Sequence, residues 1–130
     1  MAKFIADLVM DAALAYIADN GDKIAVCSMQ PTTYTELSVT YMLALHAMTV
    51  GDGNGDYTIA DGDVSGRKLT MTAQSTISIT NTGTAQHVAI GKSSATTNVL
   101  LVATLTSSQA LTSGNDVSIP AFKYTLPDPT

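Results

Sequence analysis

Short runs of alternating apolar and polar residues occupy the middle of the chain, between positions 56 and 90. In 68–73 the apolar residues fall on every second position and Lys or Thr fills the others, which is the period of a half-buried strand. Positions 57–60, 77–79 and 87–90 also read as strands, and turn-forming Asp, Asn and Gly residues separate the runs. The pattern predicts a meander of four short strands around which the rest of the chain is organised.

The clearest helical spacing lies at the N-terminus, in residues 3–19. The apolar positions of its stripe are Phe4, Ile5, Leu8, Val9, Ala12, Tyr16 and Ile17. Asn20 followed by Gly21 predicts that the helix ends at a left-handed cap. Two interpretations stay open, because the stripe can pack on the sheet of its own domain or dock on a neighbouring subunit. In the second case the predicted partner interface is Phe4, Ile5, Leu8 and Val9.

Two further apolar segments follow the helix. Residues 23–29 are apolar on both faces, which predicts a central strand with Cys27 as a buried, unreactive thiol. Thr33 and Glu36 have the spacing of a capping box for a short helical turn. Residues 39–50 fit a buried strand or a short helix, and the Val and Thr residues at the ends favour the strand.

In the C-terminal third, residues 99–106 predict another strand. Its first half, 99–102, is apolar on both faces and is therefore expected to be central in a sheet or covered by another subunit. Polar loops or turns are predicted at 91–98, 107–110 and 112–116. The apolar phase slips by one residue at Pro120, which predicts a bulge or an edge position there.

Together these elements predict a mainly β protein, an antiparallel β-sandwich or barrel-like domain with one N-terminal amphipathic α-helix. The predicted domains are the helix at 1–21 and the antiparallel β domain at 22–130.

Composition changes this picture in one respect. The chain has 130 residues, of which 45% are hydrophobic and 13% charged, against a typical charged fraction of about 25%. So little charge predicts that part of the surface is covered by copies of the chain or by a partner, although Ser and Thr can solvate much of it. The net charge of −5 with scattered cations argues against nucleic acid as a ligand.

The expected compartment follows from the same inventory. A single cysteine excludes an internal disulfide and fits a reducing compartment. No apolar run approaches the roughly 20 residues that a membrane span needs, and Asp7 and Asp11 break the N-terminal run before it reaches signal-peptide length. We expect a soluble product made in the cytoplasm, without a membrane partner.

The loop 51–56 carries the one candidate metal site. Asp52, Asn54 and Asp56 stand at the first, third and fifth positions of a calcium-loop pattern. Tyr57 then replaces the glycine of the sixth position and the shorter Asp63 occupies the twelfth. Asp, Asn and Gly are also the residues of ordinary β-turns, so a plain turn is the alternative interpretation.

Other candidate chemistry is sparse. His46 and His87 are far apart in the sequence and lack the neighbours of a metal site. Asp61 and Asp63 flank a turn glycine, which indicates turn chemistry rather than an acid/base pair. The sequence contains no nucleophile elbow, phosphate loop or Cys-x-x-Cys motif. We therefore predict no catalytic residues, no cofactor and no enzymatic activity.

Four motifs in a fixed order cover residues 11–89. They are Asp11…Leu14-x-Tyr16-Ile17, Cys27…Gln30-Pro31-Thr32-Thr33-Tyr34-x-Glu36, the run from Asp56 to Lys68, and Thr82-Gly83-Thr84-Ala85-x-His87-Val88-Ala89. In their order and spacing they resemble the small virion structural proteins of tailed bacteriophages, over about residues 11–105.

The resemblance implies a non-enzymatic part present in many copies on a virion. The predicted role is a capsid decoration protein that binds the lattice of the major capsid protein and associates with itself. We expect the self-association to give a homotrimer. The alternative is a receptor- or glycan-binding fibre, spike or neck component. A glycan site would use exposed aromatic residues, and the chain has no Trp and two Phe.

Overall fold

The structure is a computed structural model and describes residues 2–94 and 98–130. It confirms the predicted fold class, which is mainly β with antiparallel sheets and one N-terminal α-helix. The elements are α1 (Asp7–Asn20), β1 (Lys23–Cys27), a π-helical turn (Glu36–Thr40), β2 (Met42–Ala47), β3 (Tyr57–Asp61), β4 (Arg67–Met71), β5 (Gln74–Ser78), β6 (Gly83–Gly91), β7 (Val99–Leu111), β8 (Asp116–Ile119) and β9 (Phe122–Leu126). The predicted loop 91–98 lies partly outside the described residues, at positions 95–97.

Contacts within the chain divide it into two compact units. The helix unit comprises Met1–Asn20, Thr49–Ala73 and Pro120–Thr130, and the sheet unit comprises Gly21–Met48 and Gln74–Ile119. The helix is thus grouped with β3, β4 and β9. Whether residues 22–130 form a domain without the helix stays a prediction.

The sheet unit is built on a four-stranded antiparallel sheet in the order β2-β1-β6-β7. Its centre is β1, whose residues from Ile24 to Cys27 are all buried. This confirms the central strand predicted from the apolar character of both its faces. Ala25 lies opposite Leu45 on one side and Ala89 on the other, and Ala25 and Ala89 belong to one buried cluster against which Leu45 packs.

A short helical turn covers one face of this sheet. Leu37 in the π-helical turn is fully buried against Ala25, Cys27 and Ala89. The predicted capping interaction forms in part, since the Glu36 amide donates to Thr33 Oγ1 at 3.2 Å. Its carboxylate reaches one residue further back than predicted and accepts hydrogen bonds from the backbone and hydroxyl of Thr32. These bonds hold the pKa of Glu36 below its usual range.

The remaining strands of the sheet unit, β5 and β8, form a two-stranded ladder. A bridge between Ala44 and Ile79, and a hydrogen bond from the Thr80 amide to the Leu43 carbonyl, join this ladder to β2. Residues 112–115 make the predicted turn into β8, with Gly114 at a φ of +93°. Thr76 in β5 has a φ of +58°, which a β-branched side chain rarely adopts.

The helix unit contains the three-stranded antiparallel sheet β3-β4-β9. Alternation in β4 buries Leu69 and Met71, as the sequence period predicts. The connection between β3 and β4 requires glycine, because Gly66 has a φ of +70° and an added Cβ would lie 1.9 Å from the Leu126 carbonyl oxygen.

Three predictions about strand placement are wrong. The stretch 56–90 is not one meander, because β3 and β4 belong to the helix unit while β5 and β6 belong to the sheet unit. Residues 107–110 are strand rather than turn. The bulge predicted at Pro120 is also wrong, because the chain leaves the β5-β8 ladder there to pair β9 with β4. The alternative of an edge position is not contradicted, since β8 and β9 are both edge strands. Alternation identifies a strand but carries no information about its partner.

For the segment 39–50, the preferred strand is found at Met42–Ala47, and the π-helical turn takes its first two residues. Among the described residues, no helix combines the length and the apolar character that crossing a membrane requires.

Candidate interaction surface

The inner face of α1 packs on its own unit. Met10, Leu14 and Ala18, spaced at i, i+4 and i+8, are buried, and the contacts of α1 are with β3 and β4. This is not the apolar stripe that the sequence indicated. The chain therefore keeps an apolar inner face and a second apolar face on the same helix.

That second face is exposed. Phe4 is 89% exposed, Leu8 79%, Val9 55% and Tyr16 52%. Ala12 and Ala13 are also exposed, and Ile5 is half-buried. Phe4 and Ile5 precede the first residue of α1, Asp7, so the helix begins later than the predicted 3–19. We call these two residues, together with Leu8, Val9 and Tyr16, the outer face of α1. All four residues of the predicted partner interface lie in it, whereas Tyr16 was not included in that prediction although it shares the helical period.

Two hydrogen bonds fix the C-terminal end of the helix. At the C-terminal end the Asn20 side chain donates to the Tyr16 carbonyl at 2.8 Å, and the Gly51 amide donates to the Ala18 carbonyl at 2.8 Å. Both bonds satisfy carbonyls that the last turn of a helix leaves without an intrahelical partner. Neither Asn20 nor Gly21 has a positive φ, so the predicted left-handed cap is wrong.

An ion pair ties the middle of α1 to β4. Arg67 Nε lies 2.6 Å from Asp11 Oδ1, and Arg67 Nη2 lies 3.3 Å from Asp11 Oδ2, while Nη1 reaches Asp61 at 2.5 Å. The bidentate geometry fixes orientation as well as distance. The hydrogen bonds that Arg67 donates to Asp11 and then to Asp61 raise the pKa of Arg67, so the guanidinium is charged throughout the physiological range.

Beside the outer face lies an open cleft of about 540 Å³. Its apolar lining includes Leu8, Ala12, Ala15 and Ile59. Its polar rim contains Asp11, Asp19 and Asp52 together with Asn54 and Arg67. Because Arg67 already pairs with Asp11 and Asp61, the rim is net negative. The surface therefore suits an apolar group that carries or adjoins a positive charge.

The candidate calcium residues all make loop hydrogen bonds. Asp52 Oδ1 accepts from the Ile59 amide at 2.9 Å, and Asp56 Oδ2 accepts from the Thr49 amide at 2.6 Å. The Asn54 amide nitrogen donates to the Val50 carbonyl at 3.3 Å. In the described part of the chain, no three His, Cys, Asp or Glu side chains gather in a group that could hold a metal ion. The arrangement is that of a turn stabilised by its own side chains.

The two aspartates that flank Gly62 lie in ion pairs. Asp61 pairs with Arg67, and Asp63 pairs with Lys68 at 2.6 Å and with Lys123. Hydrogen bonds from Lys123 and then Lys68 lower the pKa of Asp63 to about 2. A carboxylate held ionised in this way is suited to stapling β4 to β9 rather than to exchanging protons near neutral pH.

Cys27 is fully buried, as predicted, and its thiol donates to the Leu37 carbonyl with Sγ at 3.8 Å. Burial raises the pKa of Cys27 to about 12.

The two histidines lie on the strands beside β1. His87 is directly across from Cys27 in the β1–β6 ladder, a neighbour that sequence separation did not indicate. Its Nδ1 lies 3.3 Å from Thr104 Oγ1. His46 is opposite Ile24 on the other side of β1.

Comparisons of the chain with protein-family models, with curated proteins and with solved structures found no match.

Proposed function

We propose that this chain is a structural protein of a tailed-phage virion, a capsid decoration protein that binds the lattice of the major capsid protein and associates with itself. The observation that carries the proposal is the outer face of α1, a set of exposed apolar residues on and just before a helix whose other face is already packed. Apolar surface of this kind marks an interaction site in a soluble protein. The low charge and the motif order of the sequence support the same role.

The chemistry of the surface restricts the partner. The cleft beside the helix has a net negative rim, so two copies of this surface would bring carboxylates together. A lattice that offers an apolar anchor flanked by Lys or Arg is complementary to it. The proposed partner through α1 is therefore a different protein, the major capsid protein, and the role is non-enzymatic.

Binding to particles tests the proposal. Particles of the phage that encodes this chain, made without it, are mixed with the purified protein, sedimented, and imaged by electron cryomicroscopy. We expect density for the chain at regular lattice positions on the head. Density confined to a fibre, spike or neck would favour the receptor- or glycan-binding alternative, and intact particles that contain no copy would overturn the virion assignment.

A matched pair of variants tests the surface. Val9→Ser alters the outer face of α1, whereas Val64→Ser alters an even more exposed valine, at 99%, in the connection between β3 and β4. We expect Val9→Ser to weaken particle binding by roughly tenfold, as loss of an interface side chain commonly does. Val64→Ser is expected to bind like the unmodified chain. Equal weakening by both would contradict a role for the outer face.

A further inference from the structure

Strand β7 lies at the end of the four-stranded sheet. It pairs with β6 on one side, and no strand of the described residues pairs with its other side. An open edge presents backbone N–H and C=O groups that can pair with a further strand. The 13 residues of Val99–Leu111 make β7 the longest strand. The prediction that 99–102 is central in a sheet is therefore wrong, and its alternative, cover by another subunit, stays open.

The side chains at this edge are apolar on both faces. Val99, Leu100, Leu101 and Val102 are all half-buried, and Val99 and Val102 pack against the buried cluster of Ala25, Cys27, Leu37 and Ala89. Leu101 lies opposite the fully buried Ile90. A strand added at this edge would extend both apolar layers only if its own side chains were apolar on both faces, as those of β7 are.

The edge lacks two of the usual protections against strand pairing, namely charged residues and proline. Edge strands are commonly blunted by charged residues or proline. Three other edge strands follow this rule, since β3 ends at Asp61, β9 contains Lys123 and β8 begins at Asp116. The edges β2 and β5 carry neither a charge nor a proline, but the bridge between Ala44 and Ile79 joins β2 to the residue that follows β5. From position 93 to position 115 the sequence contains no Asp, Glu, Lys, Arg or Pro.

Charge selects the occupant. The chain carries a net charge of −5, so most contacts between two copies bring negative groups together. The segment 93–115, which contains β7, carries no charged residue, and a second copy offers a strand with the required apolar pattern. We propose that β7 pairs with β7 of a second copy, antiparallel and about a two-fold axis, so that two four-stranded sheets become one continuous sheet of eight. This pairing gives a dimer in place of the homotrimer expected from the sequence.

A bulge limits the paired segment. Gln109 pairs with Ala85 and Thr104 pairs with His87, so residues 105–108 of β7 stand opposite the single residue Gln86. A bulge of this size bends the strand and interrupts the straight edge. A second, smaller register shift between Ile90 and Gly91 leaves Leu100 as one extra residue between the paired Val99 and Leu101. The paired segment is therefore Val99–Thr104, with one irregular position at Leu100.

This inference deepens the self-association in the proposed function, but it can be observed in the purified chain without any particle. A chain that dimerises but fails to bind particles would leave the pairing intact and remove the virion role. A chain that binds particles but is monomeric in solution at high concentration would leave the virion role intact and remove the pairing.

Light scattering over a concentration series from about 1 µM to about 1 mM measures the assembly. We expect the full chain to reach twice its single-chain mass. Leu100→Lys places a charge in the paired segment and is expected to raise the dissociation constant at least tenfold. A strict monomer, a trimer, or an unchanged dissociation constant in Leu100→Lys would overturn the proposal.

A second pair of variants guards against misfolding of Leu100→Lys. Thr104→Lys and Thr58→Lys introduce the same charge at exposed strand positions, in β7 and in β3 respectively. We expect only Thr104→Lys to weaken the dimer. Hydrogen exchange supplies an independent readout, because amides of Val99–Thr104 should gain protection as the concentration rises. Protection that is independent of concentration, or equal weakening by both variants, would contradict β7 pairing.

Discussion

The helix unit and the sheet unit expose apolar surface in different electrostatic settings. The four ion pairs that the structure gives for the described residues all lie in the helix unit, around Arg67 and Asp63. Its exposed apolar residues on α1 adjoin a cleft with an acidic rim. The edge of the sheet unit, β7, lies in a segment without charge.

The difference indicates two kinds of partner. An apolar surface with an acidic rim disfavours a second copy of itself and favours a cationic partner, whereas a neutral strand edge can pair with its own copy. A chain of low charge can thus separate self-association from attachment by placing its carboxylates beside one apolar surface and omitting them from the other. The predictions below test that separation.

The largest effect is expected inside α1, where two leucines on one helix have opposite environments. Leu14 is 1% exposed, so Leu14→Ala should lower the free energy of unfolding by about 3 kcal/mol through lost burial and a residual cavity. Leu8→Ala, on the outer face, should change it by less than about 0.5 kcal/mol. Urea denaturation measures both. Similar losses would mean that the outer face is packed within the chain.

Strain in the sheet unit gives a smaller effect of opposite sign. Thr76 has a φ of +58° in β5, and relieving a left-handed conformation is worth about 1–2 kcal/mol, partly offset by the greater freedom of glycine in the unfolded chain. We expect Thr76→Gly to raise the free energy of unfolding by about 0.5–1 kcal/mol. Its neighbour serves as control, since Ser75→Gly should lower stability. Two destabilised variants would contradict the strained conformation.

Acid should act on the helix unit through Asp63. Its pKa of about 2 lies below the ordinary 3.8, so its ion pairs stabilise the folded chain fully above the ordinary value, and this stabilisation is lost as the pH falls through about 2. The urea midpoint of the unmodified chain should therefore fall more steeply than that of Asp63→Asn between about pH 4 and pH 2. Asp116→Asn, in the sheet unit, is the control. If the urea midpoint of Asp63→Asn falls with pH as steeply as that of the unmodified chain, the ion pairs of Asp63 do not stabilise the fold.

The smallest effect is expected from salt, which should act differently on particle binding through α1 and on pairing through β7. Raising NaCl from about 0.1 M to about 1 M shortens the Debye length from about 10 Å to about 3 Å. Particle binding through the acidic rim should weaken several-fold, whereas the dissociation constant of the β7 dimer should change less than about threefold and in the direction of tighter pairing. A dimer that dissociates in salt would indicate that charged groups hold it.

The sequence predicted elements better than it predicted their neighbours. Alternation located β3 and β4, and the apolar run located β1. Yet β1 and the first half of β7 share the same pattern, apolar on both faces, and one is central while the other is an edge. Only the long-range pairing of β6 between them decides which is which, and no local period encodes that pairing.

The candidate surface was predictable where it is local. Leu8 and Val9 lie on α1, where the helical period predicts them, whereas Phe4 and Ile5 precede the helix. The sequence could not show which face of α1 packs on β3 and β4, because both faces of the helix carry apolar residues. Ile59 and Arg67, which also line the cleft, lie more than 40 positions after the last residue of the outer face. No sequence motif connects them with the helix.

Oligomeric mass after the same substitution on each surface is the most direct test of the central claim, that α1 serves a foreign partner and β7 serves a second copy. Leu8→Lys alters the outer face of α1, and Leu100→Lys alters the β7 edge. The account predicts that Leu8→Lys retains twice the single-chain mass, while Leu100→Lys has the single-chain mass at the same concentration. A Leu8→Lys monomer alongside a Leu100→Lys dimer would contradict it.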